Sequence, residues 1–258
     1  MPQHKETSSG IRRDHRALVD STNAAALAEA RKGWRAPLWV TADRQEVGRG
    51  RQGRHWVSEP GNLYASLLLI DPAPPHALPQ LGLVAAVALA RAIEAAGPLS
   101  EPVGLKWPND AIVAGKKLSG MLLEAEVLDD HKTATVIGIG VNVVSAPEGL
   151  AYPTTSTASL GGVADPEVLF AALDVTLADA LSEWARGEGF ADIRRHWLER
   201  AVGLGGPLKV RLGDRMITGT FRDLDTHGHL ILETEDGTSS TIAAGDVFFP
   251  DWPSGDDR

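Results

Sequence analysis

Four strand-like stretches follow one another between residues 103 and 144, with too few residues between them for helices. They lie at 103–107, 111–114, 118–127 and 133–144, and the intervening Gly115-Lys116-Lys117 is typical of a hairpin turn. Because strands joined by short turns usually pair with each other, this order favours an antiparallel or mixed sheet.

The flanking sequence predicts the helices that would cover such a sheet. Ser21-Thr22-Asn23 before an alanine-rich stretch is typical of a capped helix start, and the apolar run at 81–96 predicts a buried helix. The predicted helices cover about 24–33, 81–96, 165–187 and a shorter stretch up to 202, and further strands are predicted at 38–42 and 63–70. The predicted fold class is therefore α+β, a mixed or antiparallel sheet backed by helices.

A second, smaller domain is predicted after Leu204-Gly205-Gly206-Pro207. About five short alternating strands separated by turns follow this stretch, which is the pattern of a small β-barrel. We therefore predict a flexible polar leader at 1–17, a main domain at 18–204 and the barrel at 205–258.

The composition limits the classes of function. The chain has no cysteine, which excludes disulfides, cysteine-ligated zinc and thiol catalysis. No run of about 18 apolar residues predicts a membrane span, and the polar N-terminus lacks the apolar core of a signal peptide. The formal net charge of −9 argues against a general nucleic-acid binder. A basic loop in such an acidic chain is better suited to a small anionic ligand.

One such loop lies at residues 46–56, with the sequence EVGRGRQGRHW. Its Gly-x-Gly-x-x-Gly spacing is that of a dinucleotide-binding fingerprint, but that motif must open a helix, and His55-Trp56-Val57-Ser58 does not continue as one. The Gly-Lys-Ser/Thr of a phosphate-binding P-loop is absent. Two interpretations remain: arginines that bind phosphate or carboxylate from a flexible loop, or a solvated basic loop.

Lys106 stands at the end of an apolar strand and before Trp107-Pro108, which is an unusual place for a lone ammonium group. Because an unpaired charge is not readily buried, Lys106 either pairs with Asp110 or another carboxylate, or faces a site that supplies an anion.

Two further stretches also have two interpretations each. Gly138 and Gly140 lie on one face of a strand, where they make room either for a packed helix or for a flat ligand beside Asn142. Ser21-Thr22-Asn23 is either only a helix cap or a set of hydrogen-bonding groups for a neutral polar ligand.

Together these stretches resemble the motifs of the biotin–protein ligases in order and spacing. GRGRQGRHW at 48–56 combined with KWPND at 106–110 is far more specific than either motif alone. The resemblance also rests on DSTN at 20–23, NLY at 62–64, KLSG at 117–120 and GIGVN at 138–142. It implies a class II synthetase-like catalytic domain with a C-terminal SH3-like barrel. It also implies the monofunctional type, without an N-terminal DNA-binding domain.

The resemblance implies a ligase that works in two steps. The biotin carboxylate attacks the α-phosphate of ATP to give biotinyl-5′-AMP and pyrophosphate. A lysine of a biotin carboxyl carrier domain then takes the biotinyl group and releases AMP. Mg²⁺ is implied, to neutralise charge on the triphosphate. Nearby cations must offset the repulsion between carboxylate and phosphate, and Arg49, Arg51 and Arg54 are suited to that task.

The same resemblance gives each site residue a role. Catalytic roles go to Lys106, Arg51 and Arg49. Biotin is expected to contact Ser21, Thr22, Asn23, Gln45, Arg49, Gly50, Arg51, Lys106, Gly120 and Gly138. ATP and the adenylate are expected to contact Arg49, Arg51, Arg54, Trp56, Lys106, Gly140 and Asn142, and Tyr152 is the only aromatic residue in 145–162. No metal ligands are assigned.

The implied partner is the biotin carboxyl carrier domain of acetyl-CoA carboxylase or a related carboxylase, in the cytoplasm. Edge-to-edge sheet pairing, which occurs in the family, would give a homodimer, and no binding to DNA or membranes is expected. The alternatives are a lipoate–protein ligase type of acyl transfer, on the same fold, and a non-catalytic biotin sensor. An RNA-binding loop would require interleaved aromatic residues and a basic chain.

Overall fold

An eight-stranded mixed sheet forms the larger part of the protein in the computed structural model, which describes residues 5–97 and 99–249. Its strands are β1 (Lys5–Glu6), β2 (Arg12–Val19), β3 (Leu38–Gln45), β4 (Leu63–Ile70), β5 (Gly104–Lys106), β6 (Asp110–Val113), β7 (Lys116–Val127) and β8 (Thr133–Val141). They lie in the order β1-β2-β3-β4-β8-β7-β6-β5. The β2 and β3 strands pair in parallel and the other neighbours pair antiparallel. The predicted mixed sheet is confirmed.

Helices cover both faces of this sheet. They are α1 (Thr22–Arg31), α2 (Leu81–Ala96), α3 (Pro166–Trp184) and α4 (Phe190–Leu198). The bounds of α2 match the predicted 81–96, and the Asp165 side chain caps α3 by accepting a hydrogen bond from the backbone N–H of Glu167.

Side-chain alternation along β8 divides the core between the two faces. Ile137 and Ile139 pack with α2 and α3 in the large core, whereas Val136 packs with α1 on the other side. Gly138 and Gly140 have the same parity as Val136. They therefore lie on the face that carries α1, where they leave the backbone of β8 open to close approach.

The prediction of a flexible leader at 1–17 is wrong for residues 5–17. These residues include β1 and β2, and β2 pairs along its length with β3. The hydroxyls of Thr7 and Ser9 also donate hydrogen bonds to the buried Asp174 of α3, at 2.8 and 2.6 Å. The polar composition was misleading because a strand near a sheet edge exposes many of its side chains to water. Residues 1–4 lie outside the described residues.

The smaller domain is a five-stranded antiparallel sheet, which confirms the predicted strand count. Its strands are β9 (Pro207–Leu212), β10 (Arg215–Leu224), β11 (Leu230–Glu233), β12 (Ser239–Ile242) and β13 (Asp246–Phe248), in the order β12-β11-β10-β9-β13. The turn after β10 contacts the main domain, where Trp107 Nε1 donates to the carbonyl of Gly228 at 3.1 Å. The predicted boundary at 204 lies between α4 and β9. Residues 250–258 lie outside the described residues.

Within the described ranges, one segment, Pro75–Ala96, is long and apolar enough to cross a membrane by composition alone. Its apolar window is 78% buried within the protein. The segment contains α2, which packs against α3 and the sheet, so in this structure it is a core helix.

Candidate functional site

A cavity of about 290 Å³ opens on the α1 face of the large sheet. Its walls come from the start of α1, the 46–56 loop, the β5–β6 turn, the glycines of β7 and β8, and β13 of the smaller domain. This size lies near the lower end of small-molecule sites. The predicted residues that line it are Ser21, Thr22, Asn23, Gln45, Arg49, Gly50, Arg51, Arg54, Trp56, Lys106, Gly120, Gly138 and Gly140.

Asn142 is the predicted residue that the structure places elsewhere. Its side chain is 2% exposed, and its Nδ2 donates to the carbonyl of Thr155 at 3.1 Å. It borders a much smaller neighbouring pocket that shares Trp56 and Tyr152 with the main cavity. Its amide therefore ties β8 to the 154–157 segment rather than lining the main cavity.

The neutral polar groups at the start of α1 form a hydrogen-bond network. Gln45 Oε1 accepts from the backbone N–H of Thr22 at 2.9 Å and from its hydroxyl at 3.1 Å. Ser66 Oγ lies 2.7 Å from Thr22 Oγ1 and 2.6 Å from Asn23 Oδ1. Ser21 occupies the N-cap position, but its side chain makes no capping hydrogen bond. The predicted helix start is therefore confirmed at Ser21, but its hydroxyl takes no part in the cap.

Gly138 and Gly140 make room for protein side chains. A Cβ atom on Gly138 would lie 2.2 Å from Asn23 Oδ1, and one on Gly140 would lie 2.7 Å from Trp56 Nε1. At Gly138 the packed-helix interpretation is confirmed, because Asn23 belongs to the first turn of α1. Trp56 Nε1 is buried and has no hydrogen-bond partner among the described residues. The two glycines therefore leave space for the side chains of Asn23 and Trp56, and these two residues line the cavity.

The 46–56 loop is folded by its own backbone. Trp56 N–H donates to the carbonyl of Gly48 at 2.9 Å, Gly50 N–H donates to that of Arg54 at 2.7 Å, and a 3₁₀ turn spans Arg51–Gly53. This closed path fixes the points from which the three arginine side chains leave the loop.

Each of those guanidinium groups has a partner from another part of the chain, which argues against a merely solvated loop. Arg49 Nη2 lies 3.0 Å from Glu124 Oε2 on β7, and Arg54 Nη2 lies 2.8 Å from Asp246 Oδ1 on β13. Arg51 Nη1 donates to Asn109 Oδ1 at 3.3 Å and to the carbonyl of Gly245 at 3.2 Å. Burial lowers the pKa of the Arg51 guanidinium, which an anionic ligand would counteract.

Lys106 lies at the inner wall of the cavity. Burial lowers the pKa of its ammonium group, and the nearby Asp110 carboxylate partly offsets that effect. The ion pair with Asp110 is made by Lys117, whose Nζ lies 2.8 Å from Asp110 Oδ1. Lys106 Nζ lies 5.7 Å from the ring centre of Phe249. The direct partner of Asp110 is therefore Lys117, and Asp110 acts on Lys106 through its charge.

Lys117 also lies near two aromatic rings. Its Nζ lies 5.6 Å from the ring centre of Trp56 and 5.3 Å from that of Tyr152. Both rings line the main cavity and the small neighbouring pocket. This end of the site therefore offers flat apolar surfaces together with a cation, which suits a charged ligand that contains a planar ring.

Positive charge dominates the cavity although the chain as a whole is acidic. Six cationic side chains and two carboxylates line it: Arg49, Arg51, Arg54, Lys106, Lys117 and Arg211, with Asp110 and Asp246. Such a site attracts anions and stabilises charge that develops on them.

The smaller domain brings residues to this site that no sequence motif predicts. Asp246 pairs with both Arg54 and Arg211, at 2.8 and 3.4 Å, and Gly245 accepts from Arg51. The stretch 245–249 has the pattern of an ordinary barrel strand, so nothing local marks it as part of the site. Its place in the site comes from the packing of the smaller domain against the larger one.

Comparison with known proteins identifies the class of protein. The Biotin/lipoate A/B protein ligase family matches residues 16–142, and the Biotin protein ligase C terminal domain matches residues 203–249. A biotin–[acetyl-CoA-carboxylase] ligase of Paracoccus denitrificans is 40% identical over 90% of this chain and 98% of its own length. One from Mycobacterium tuberculosis is 34% identical, over 90% and 86%.

A solved structure shows the same architecture. The biotin protein ligase from Aquifex aeolicus in complex with biotin and ATP superposes with a TM-score of 0.75, at 30% identity, covering 92% of this chain and 97% of that one. The chain therefore belongs to the biotin protein ligase family, a family of ligases.

Proposed function

We propose that this protein activates biotin with ATP to biotinyl-5′-AMP and then transfers the biotinyl group to a lysine of a biotin carboxyl carrier domain. The observation that carries the proposal is the cavity itself. Neutral hydrogen-bonding groups line it at the start of α1, six cations line its walls, and the rings of Trp56 and Tyr152 border it beside the small pocket. Biotin has a neutral ureido ring and a carboxylate, and ATP adds phosphates and a planar base. This combination of groups fits that ligand pair.

The start of α1 supports the biotin end of the proposal. Ser21, Thr22, Asn23 and Gln45 carry hydroxyl and amide groups, which suit a neutral ureido ring better than charged groups would. Arg49 and Asn23 of this polar network share Glu124 as a partner, so Arg49 would meet the biotin carboxylate.

The first chemical step forms a bond between a biotin carboxylate oxygen and the α-phosphorus of ATP, and pyrophosphate leaves. Arg51 and Lys106 would offset the repulsion between the two anions and stabilise the charge that builds on the phosphate oxygens. Because both cations are partly withdrawn from water, their interactions with the phosphate are stronger than in solution. In the second step the carrier lysine attacks the mixed anhydride carbonyl, its amine loses a proton, and AMP leaves.

We assign the adenine end to Trp56 and Tyr152, whose rings border both the main cavity and the small pocket near Asn142. Arg54 and Lys117 lie beside them and suit the phosphates. Closure of the 46–56 loop over the adenylate would exclude water, to which an acyl-adenylate is sensitive.

The residues present also fit the Mg²⁺ that accompanies ATP. Within the described residues no group of three or more histidine and acidic side chains is placed to hold a metal ion by itself. Mg²⁺ in nucleotide sites usually takes one or two carboxylates together with phosphate oxygens. Asp110 and Asp246 are the carboxylates that line the cavity. Either carboxylate would hold the ion together with phosphate oxygens only by giving up its ion pair, Asp110 with Lys117 or Asp246 with Arg54 and Arg211, and the ion would neutralise triphosphate charge.

The remaining assignments are proposals on the same footing. The carrier domain would come from acetyl-CoA carboxylase or a related carboxylase, and the reaction would take place in the cytoplasm. We propose that the protein does not act on DNA or membranes, because the chain carries a formal net charge of −9. A homodimer formed edge to edge through the large sheet remains a prediction.

The direct test combines the protein with ATP, Mg²⁺, biotin and a biotin carboxyl carrier domain, followed by mass spectrometry of the carrier. We expect one biotinyl group on one lysine. Lipoylation without biotinylation would move the assignment to a lipoate–protein ligase. Biotin binding without modification of the carrier, in a protein that also forms no adenylate, would make it a biotin sensor.

A further inference from the structure

Glu124 connects two parts of the site although it does not line the cavity. Its Oε2 atom accepts a hydrogen bond from Asn23 Nδ2 at 2.8 Å and lies 3.0 Å from Arg49 Nη2. Asn23 belongs to the polar network at the start of α1, and Arg49 belongs to the 46–56 loop. One carboxylate oxygen therefore holds a residue from each side of the site.

The strand places Glu124 where it can do this. On β7, Gly120 and Leu122 line the cavity, and Glu124 is the next residue on the same face. It pairs across the sheet with Val136, which packs under α1. Its side chain is 26% exposed, against 40% for that of Arg49, so the pair is partly accessible to water.

The first consequence concerns the amide of Asn23. Its Nδ2 donates to the carbonyl of Leu122 at 3.2 Å and to Glu124, so both amide hydrogens are used within the protein. Its Oδ1 accepts from Ser66 and retains a second lone pair. With its amide held in this orientation, Asn23 can only accept a hydrogen bond from a ligand N–H.

The second consequence concerns Arg49. A ligand carboxylate that binds Arg49 must compete with the carboxylate that already holds it. The geometry points to Glu124 as a positioning residue: it orients the Asn23 amide, and it holds Arg49 at the rim of the cavity until the carboxylate of the substrate takes its place. This inference rests on the proposed function, since it requires a substrate with a carboxylate at that end.

The test compares two ligands that differ only in the group that would meet Arg49. Dissociation constants are measured by calorimetry for biotin and for its neutral alcohol analogue, biotinol, with wild-type protein and Glu124→Gln. Glutamine can still accept from Asn23 but carries no charge to compete for Arg49. We expect the preference for biotin over biotinol to rise about two- to fivefold, the usual strength of a partly exposed ion pair. Biotinol affinity should stay nearly constant.

Three further variants separate this role from a general structural one. Glu126→Gln removes a carboxylate from the same face of the same strand, where it pairs with Arg31, and should leave the preference unchanged. In an Arg49→Gln background, Glu124→Gln should have no effect on the preference. Glu124→Ala should also weaken biotinol binding, by about fivefold, because Asn23 loses its acceptor.

The inference is overturned if Glu124→Gln leaves the ratio of the two dissociation constants unchanged. A purely structural role would give that result, because both dissociation constants would shift by the same factor. Failure of the wild-type protein to bind biotin at all would instead refute the proposed function.

Discussion

Replacing Gly138 with alanine tests whether the first turn of α1 must touch the sheet for the site to form. The added Cβ would lie 2.2 Å from Asn23 Oδ1, whereas ordinary contact begins near 3.4 Å. The Asn23 amide must then move by about 1 Å or more. The side chain is 4% exposed and is held by Ser66, Leu122 and Glu124, so it cannot move without losing hydrogen bonds.

The size of the effect follows from those three bonds. At about 0.5–1.5 kcal/mol for each, their loss lowers the free energy of unfolding by about 2–4 kcal/mol. Because the displaced residue belongs to the biotin end of the cavity, biotin affinity should fall at least about tenfold, which corresponds to about 1.4 kcal/mol.

Urea unfolding and calorimetric titration with biotin measure the two effects separately. Gly82→Ala is the matched control, since a Cβ there meets nothing within 4 Å and the residue lies in α2. It should keep biotin affinity and stabilise the protein slightly. Unchanged stability and unchanged biotin affinity in Gly138→Ala would refute the reasoning about Asn23.

Three other predictions concern the site and its support. Burial lowers the pKa of Lys106 below the value of about 10.4 for an ordinary lysine. Because the charged form is required, kcat/KM for adenylate formation should fall as the pH rises through that lowered pKa. Lys106→Arg should move this fall in kcat/KM to higher pH, and Lys106→Ala should abolish most turnover. A pH profile of kcat/KM that is identical in wild type and Lys106→Arg would contradict this role. Arg51→Gly should release the adenylate early and label nearby lysines without selectivity, because Arg51 holds the 46–56 loop to Asn109 and Gly245. Selective labelling by that variant would exclude closure of the 46–56 loop over the adenylate. Asp174→Asn should lower the free energy of unfolding, measured in urea, by about 2–3 kcal/mol. Four donors converge on this buried carboxylate, and an amide can accept hydrogen bonds from only some of them. A decrease below about 0.5 kcal/mol would show that the N-terminal segment contributes little to stability.

The sequence was most informative where local pattern and tertiary structure agree. The apolar run at 81–96 has clear limits at both ends, and α2 has the same bounds. The strand at 63–70 was equally clear, because seven of its eight residues are buried and its sequence is continuously apolar or small. The motif residues near the cavity were found because their spacing is distinctive, not because any one of them is unusual.

The sequence was misleading or silent where a residue acts through a distant partner. Residues 5–17 look like a polar leader, yet they pair with β3 and bind Asp174. Asp246 lies 192 residues from Arg54 along the chain, so only the assembled domains reveal their contact. Glu124 did have a signal that could have found it, since it lies four residues after Gly120 and therefore on the same face of β7.

Biotin-dependent exchange of labelled pyrophosphate into ATP tests the central claim most directly, because it needs no acceptor protein. The assay contains Mg²⁺ and compares biotin, lipoate and no added acid. We predict exchange with biotin and none without it, since reversible formation of biotinyl-5′-AMP is the step for which the cavity is arranged. Exchange with lipoate alone would contradict the substrate, and no exchange with either acid in folded protein that binds biotin would contradict the enzyme.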